Sequence, residues 1–153
     1  MAADIRLLDQ AFDPGAALAA FADAHQRAGG VTSFLGQVRG GDDVEALDLQ
    51  HYAPLTLPGM EALGEEVLAR WPLDGVLIWH RVGEMLPGDS IVLVAAAARH
   101  RRDAFEAADY AMDHLKSQSW FWKREKRAGQ WHWIEPRVQD HADLARWNDP
   151  PEA

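Results

Sequence analysis

The chain reads as a single α+β domain. Segments with apolar residues three and four apart alternate with segments of period two or of unbroken apolar character. No repeat or linker separates them. Its 153 residues, 48% hydrophobic and 25% charged, can enclose one core.

Asp13-Pro14 opens the first helix, with Asp13 as N-cap and Pro14 at the first helical position. Leu18, Phe21 and Ala22 form its apolar face, and Gly29-Gly30 is expected to end it. Val31 to Val38 reads as a strand, followed by the turn Arg39-Gly40-Gly41-Asp42-Asp43. Val44 to Tyr52 alternates, with Leu47, Leu49 and His51 on one face. Pro54 and Pro58 punctuate the approach to a helix carrying Met60, Leu63, Val67, Leu68 and Trp71, which Trp71-Pro72 closes. Val76 to Arg81 is the third strand, and Leu86-Pro87-Gly88-Asp89 is a turn. Ser90 to Ala98 is so evenly apolar that it should be a buried strand. A long helix follows from about Arg101 to Gln118, with Phe105, Ala108, Met112 and Leu115 inward. Phe121–Lys126 and Gln130–Glu135 form a hairpin about Ala128-Gly129, with Trp131 and Trp133 on one face. The polar C-terminal residues are expected to fray beyond about position 147.

No apolar run approaches the roughly 20 residues that span a bilayer, and the first residues lack the pattern of a signal peptide. Without cysteine there is no disulfide, thiolate nucleophile or Cys-ligated zinc, so the cytoplasm is the default compartment. The net charge of −9 argues against general nucleic-acid binding, including single-strand binding by tryptophan stacking. Yet residues 99–127 hold eight of the fifteen Lys+Arg against five acids. A cationic region on an acidic protein suits a small anionic ligand.

All three lysines, Lys116, Lys123 and Lys126, lie within eleven positions, while positive charge elsewhere is written as twelve arginines. An ammonium can lose its proton in a dry or cationic pocket and act as base or nucleophile; a guanidinium effectively cannot. A solvated basic turn is the plainer alternative. His100-Arg101-Arg102 stands where a buried strand hands over to a helix, a junction whose backbone N–H groups attract anions. Arg39 alone reads as a surface residue, and His51 and His80 as core histidines. Trp120, Trp122, Trp131 and Trp133 could wall a flat heterocycle or form the apolar face of the hairpin. No metal-ligand spacing, GxGxxG, Walker loop or GxSxG elbow occurs, so no metal and no resident cofactor are expected.

Taken together, Phe34-x-Gly36-x-Val38-Arg39, His51-Tyr52, Pro58-Gly59-Met60, His80-Arg81-Val82-Gly83, Pro87-Gly88-Asp89, His100-Arg101-x₂-Ala104-Phe105-Glu106-Ala107, Leu115-Lys116 and Trp122-Lys123-Arg124-Glu125 resemble the large, catalytic subunit of molybdopterin synthase. The motifs are specific in combination and cover residues 5 to 147. The resemblance implies an α/β hammerhead fold with an additional small antiparallel sheet or hairpin, and a homodimer at the centre of a heterotetramer. A small ubiquitin-like carrier would dock at each end. Its C-terminal Gly-Gly thiocarboxylate would deliver sulfur to cyclic pyranopterin monophosphate, forming the dithiolene of molybdopterin. By motif, Lys116 and Lys123 would be catalytic, while Gln37, Val38, Arg39, His100, Arg101, Arg124 and Glu125 would line the substrate site with them. The chain departs from the pattern at Gln37, where lysine is common, and at Trp120, where proline is usual. An additional stretch, Ala53-Pro54-Leu55-Thr56 or its equivalent, precedes Pro58, and the loop after Arg39 is shorter. The competing reading is a non-catalytic anion-binding or scaffold protein, which should tolerate Lys116→Arg where a proton-transfer site should not.

Overall fold

A computed structural model of the chain describes residues 2–117, 120–135 and 138–148. Two four-stranded sheets carry the fold. The first has the order β1-β4-β6-β2 and the second β5-β3-β7-β8. In the first sheet are β1 (Ala3–Leu8), β2 (Gly30–Gln37), β4 (Leu73–Arg81) and β6 (Ser90–Ala98). Their pairing is antiparallel except for the parallel pair β1 and β4. In the second are β3 (Ala46–His51), β5 (Gly83–Met85), β7 (Phe121–Arg127) and β8 (Gln130–Ile134), all antiparallel.

Helices cover both faces of the first sheet. α2 (Ala53–Arg70) and α3 (Arg101–Ser117) lie on one side, over Val76, Ile78, Val92, Val94 and Ala96. α1 (Pro14–Ala24) lies on the other, where Ala17 and Phe21 meet Leu77, Leu93, Ala95 and Ala97. A smaller core of Val38, Leu47, Leu49 and Met85 lies against the second sheet.

The α+β reading holds, with corrections inside it. β1 and β5 were not expected. Asp4 and Arg6 break the apolar content of β1, and β5 is three residues long. Asp13 caps α1 as expected, accepting from the Ala16 N–H at 3.1 Å, but the helix ends at Ala24 with His25 as its cap. Its buried residues are Ala17 and Phe21; Leu18 is half-buried and Ala22 exposed. Gly29 serves instead as a point of close approach, since a Cβ there would stand 2.1 Å from the Arg99 carbonyl oxygen.

α2 begins at Ala53, so the prolines lie inside its first turns rather than ahead of them. Pro54 needs no helical donor there, and Thr56 turns its hydroxyl to the Tyr52 carbonyl at 3.0 Å and the Trp120 carbonyl at 3.2 Å. The Trp120 ring lies on Gly59, where a Cβ would come within 2.4 Å of it. Two of the departures noted above, the additional stretch and Trp120, therefore touch each other. In α3 the inward face is Ala104, Ala107, Ala108, Ala111 and Leu115; Phe105, expected inside, is 51% exposed. The alanines bring the helix close to an alanine-rich strand, and Phe105 falls outside that seam.

The sequence reading places no element between the hairpin and the tail expected to fray beyond about position 147, and the structure supplies one there. α4 (Val138–Ala145) and a 3₁₀ turn at Arg146–Asn148 pack against α3. Trp147 sets its ring edge-on to Trp71 and Tyr110 and donates to Asp113 at 2.6 Å. Arg146 pairs with Asp109 and Asp113. Residues 149–153 lie outside the described residues. Among the described residues no helix is long and apolar enough to cross a membrane.

Candidate active site

Pairing register decides which residues meet. Gln37 pairs with Ser90 and His80 with Val92, so the ends of β2 and β4 and the start of β6 share one end of the first sheet. α3 leaves the far end of β6 and packs back along it, which returns its last turn, with Lys116, to that same end. The second sheet reaches the place through Phe121, which packs against both the first core and the smaller one.

Val38 is buried there, its N–H donated to the Asp89 carbonyl at 2.9 Å and its carbonyl accepting from Gly88 at 2.8 Å. That anchor fixes its exposed neighbours Gln37 and Arg39 at the sheet end. Lys116 is exposed and Lys123 half-buried. Between their elements lies His80, 7% exposed, with Nδ1 2.9 Å from the Arg81 carbonyl. Its ring stacks on Phe121, 4.0 Å between centroids at 16°. Burial is the main cause that pulls the His80 pKa from 6.5 to about 4; the Arg81 hydrogen bond opposes it, and the Lys116 charge adds to it. At neutral pH the ring is therefore uncharged.

Alternation along β7 sorts the hairpin residues. Phe121, Lys123 and Glu125 stand opposite His51, Leu49 and Leu47, whereas Trp122, Arg124 and Lys126 stand opposite Gln50, Asp48 and Ala46. Arg124 thus lies on the face away from Lys123. Its Nε donates to Asp48 Oδ2 at 2.8 Å, and its guanidinium lies over Trp131 and Trp133 at 4.5 and 5.6 Å. Lys126 is also over Trp131. Trp131 and Trp133 thus pack against Arg124 on that face and do not wall Lys123. Glu125 keeps to the Lys123 face, where it pairs with Arg127 at 2.8 Å.

His100 and Arg101 are exposed at the start of α3, at the opposite end of the sheet from Arg39. Seventeen helical residues separate the two ends by about 25 Å. One chain therefore brings together Gln37, Val38, Arg39, Lys116 and Lys123, and holds His100 and Arg101 apart from them.

Sequence reasoning missed Asp48 and the closeness of His80 to Lys116. An aspartate between leucines in a strand looks solvated until cross-strand register sets Arg124 beside it. His80 was legible as a buried histidine, but its neighbour on α3 was not. Among the described residues no cluster of His, Asp and Glu could hold a metal ion.

A family model described as "MoaE protein" matches residues 7–118. A curated molybdopterin synthase catalytic subunit from Caulobacter vibrioides is 41% identical over 145 residues, covering 94% of this chain and 97% of its own. The solved molybdopterin biosynthesis MoaE protein of Burkholderia ambifaria MC40-6 superposes with a TM-score of 0.81 at 40% identity, covering 97% and 99% of the two chains. The same fold, at 21% identity and a TM-score of 0.74, occurs in the complex of subunits 1 and 2 of molybdopterin-converting factor from Helicobacter pylori 26695; there the match covers 87% of this chain and 91% of that one.

Proposed function

Since the chain belongs to the MoaE protein family, we propose that it is the catalytic, sulfur-transferring subunit of a molybdopterin synthase. Its sulfur comes from the C-terminal thiocarboxylate of a small ubiquitin-like carrier subunit, and its acceptor is cyclic pyranopterin monophosphate. The one observation that carries the site is the gathering of Arg39, Lys116 and Lys123 at one end of the first sheet, with Lys116 on the last turn of a long helix.

The chemistry suits those groups. A thiocarboxylate that gives up its sulfur leaves as a carboxylate, with water supplying the oxygen, and passes through an oxyanion that a fixed cation stabilises. Lys116 and Lys123 serve as that cation and as proton carriers, which arginine cannot do. Arg39 holds phosphate oxygens through its planar fork. Gln37 and Val38 border the same place, Val38 through its backbone. Glu125 sits on the Lys123 face, and Arg124 acts from behind by fixing β7 through Asp48.

The site is completed by a second copy of the chain. β2 is an edge strand whose two faces both expose apolar side chains, Phe34 toward the α3 side and Val31 and Leu35 toward the α1 side, and Phe105 is exposed on α3, which packs against β2. Such an edge invites pairing unless it is covered. Two-fold antiparallel pairing of β2 brings the Gln37–Arg39 end of one copy beside the Gly30 end of the other, next to which His100 and Arg101 stand. The separation of about 25 Å within one chain then becomes a short distance between chains. The homodimer forms the centre of a heterotetramer, with a carrier at each end.

The test is dithiolene formation from a mixture of this protein, thiocarboxylated carrier and cyclic precursor. Product with the wild type, and its loss in Lys116→Ala and Lys116→Arg alike, is the expected result. Full activity of Lys116→Arg would make the lysines docking charges and defeat the reading.

A further inference from the structure

Among the described residues, His80 is the one buried titratable group at this end of the sheet that the proposed reaction leaves unused. Two contacts fix it, and one packing relation places it. A carbonyl oxygen can only accept, so the 2.9 Å contact with Arg81 puts the ring proton on Nδ1. That leaves Nε2 as a bare lone pair on the other side of the ring. The stack on Phe121 fixes the plane of the imidazole, and Phe121 belongs to the face of β7 that carries Lys123. α3 packs along β6 and β2, and its Leu115, 5% exposed, belongs to the same core as Val92, the β6 residue that pairs with His80, so the last turn of α3 comes down beside the strand position next to the ring.

We infer that His80 is a positioning residue for Lys116: an imidazole clamped by the Arg81 carbonyl and the Phe121 ring that turns its Nε2 lone pair toward the lysine ammonium. The inference rests on the reading of Lys116 as a catalytic residue. Other charged or titratable groups on the elements round the ring are Lys123 and Glu125 on the Phe121 face of β7, His51 on β3, which pairs with Phe121 in register, and Arg81 next along β4, whose guanidinium is 3.6 Å from Asp89. The apolar partners Leu7 and Val92 flank it within the sheet. An ammonium on a mobile four-carbon stem gains a defined direction from a fixed acceptor, and proton transfer depends on that direction. The depressed pKa of the ring agrees with this arrangement, because the pair then holds one positive charge rather than two.

The chain has only three lysines, so reductive ¹³C-methylation of the intact protein gives three lysine resonances besides that of the α-amine, assignable with single Lys→Arg variants. His80→Phe keeps a ring on Phe121 and removes the acceptor; His80→Gln keeps an acceptor. The expected result is a Lys116 titration midpoint lowered by about half a unit or more in His80→Phe and returned most of the way in His80→Gln, with Lys123 and Lys126 unmoved. An unmoved Lys116 resonance in His80→Phe, or equal shifts in the two variants, would overturn the inference. A reciprocal measurement leaves His80 intact. In Lys116→Gln the imidazole should titrate above its wild-type value of about 4, and an unchanged midpoint would again overturn the contact. In the sulfur-transfer assay His80→Phe should lower kcat about tenfold with KM for the precursor held, and His80→Gln should recover most of it. Full turnover by Lys116→Ala would instead sink the catalytic reading, while the resonance measurements would still decide whether His80 and Lys116 touch.

Discussion

His80 carries a proton equilibrium that folding has moved, and this has a measurable cost in acid. Its folded pKa of about 4 lies below the ordinary 6.5, so between those values the unfolded chain binds more protons than the folded one. Stability therefore rises with pH across that window and is lost as pH falls through it, by up to roughly 3 kcal/mol from this group. Urea midpoints at pH 4.5 and pH 7 should show the difference in the wild type and a smaller one in His80→Phe. At the lysines the expectation is an order: Lys116→Ala should lose about 10²-fold or more in turnover, whereas Lys126→Ala should stay within about threefold, because alternation sends Lys126 to the Trp131 face. Steady-state rates of the two variants with dimer and carrier binding intact would check the order, and a crippled Lys126→Ala beside a normal Lys116→Ala would reverse it.

At the scale of elements, β7 is held from one face by the Asp48–Arg124 pair and from the other by Phe121. Arg124→Ala strands a mostly buried carboxylate, so it should cost about 2 kcal/mol in chemical denaturation. Asp48→Asn, which keeps a hydrogen-bond acceptor without the charge, should cost less. Most elements could be read from the sequence because their signals are local. Asp13-Pro14 opens α1, unbroken apolar residues make β6, and Ala128-Gly129, both at positive φ, turns the hairpin. What escaped depends on partners. β1 is a strand because β4 lies beside it, and α4 is tied to α3 through Trp147, Arg146 and the Ser117 hydroxyl donating to the Asp140 carbonyl. The candidate site was legible in the same uneven way. Residue types near Lys116 and Arg39 could be recognised, but that His100 stands at the other end of the sheet follows only from the register of β2 on β6.

At the scale of the whole molecule, the uncovered edge at β2 and the split cation set make one prediction from two sides. Phe34→Glu puts a charge on the pairing edge and should give a folded monomer by light scattering, with turnover lost although no lysine has changed. Arg39→Ala and His100→Ala should each be inactive alone. Subunits of the two variants exchanged at random should regain about a quarter of wild-type turnover, since half the dimers are mixed and each mixed dimer has one whole site. No recovery would mean that the two residues serve the same chain. The alanine seam of α3 acquires a further meaning in such a dimer. Each α3 ends in one site and begins in the other, so the two helices act as rods of fixed length spanning the pair. Removing one residue between Ala104 and Ala111 would shorten a rod by about 1.5 Å and turn its far end by about 100°. Point changes can be absorbed locally, but a change of length cannot, because both active sites are cut to the same measure.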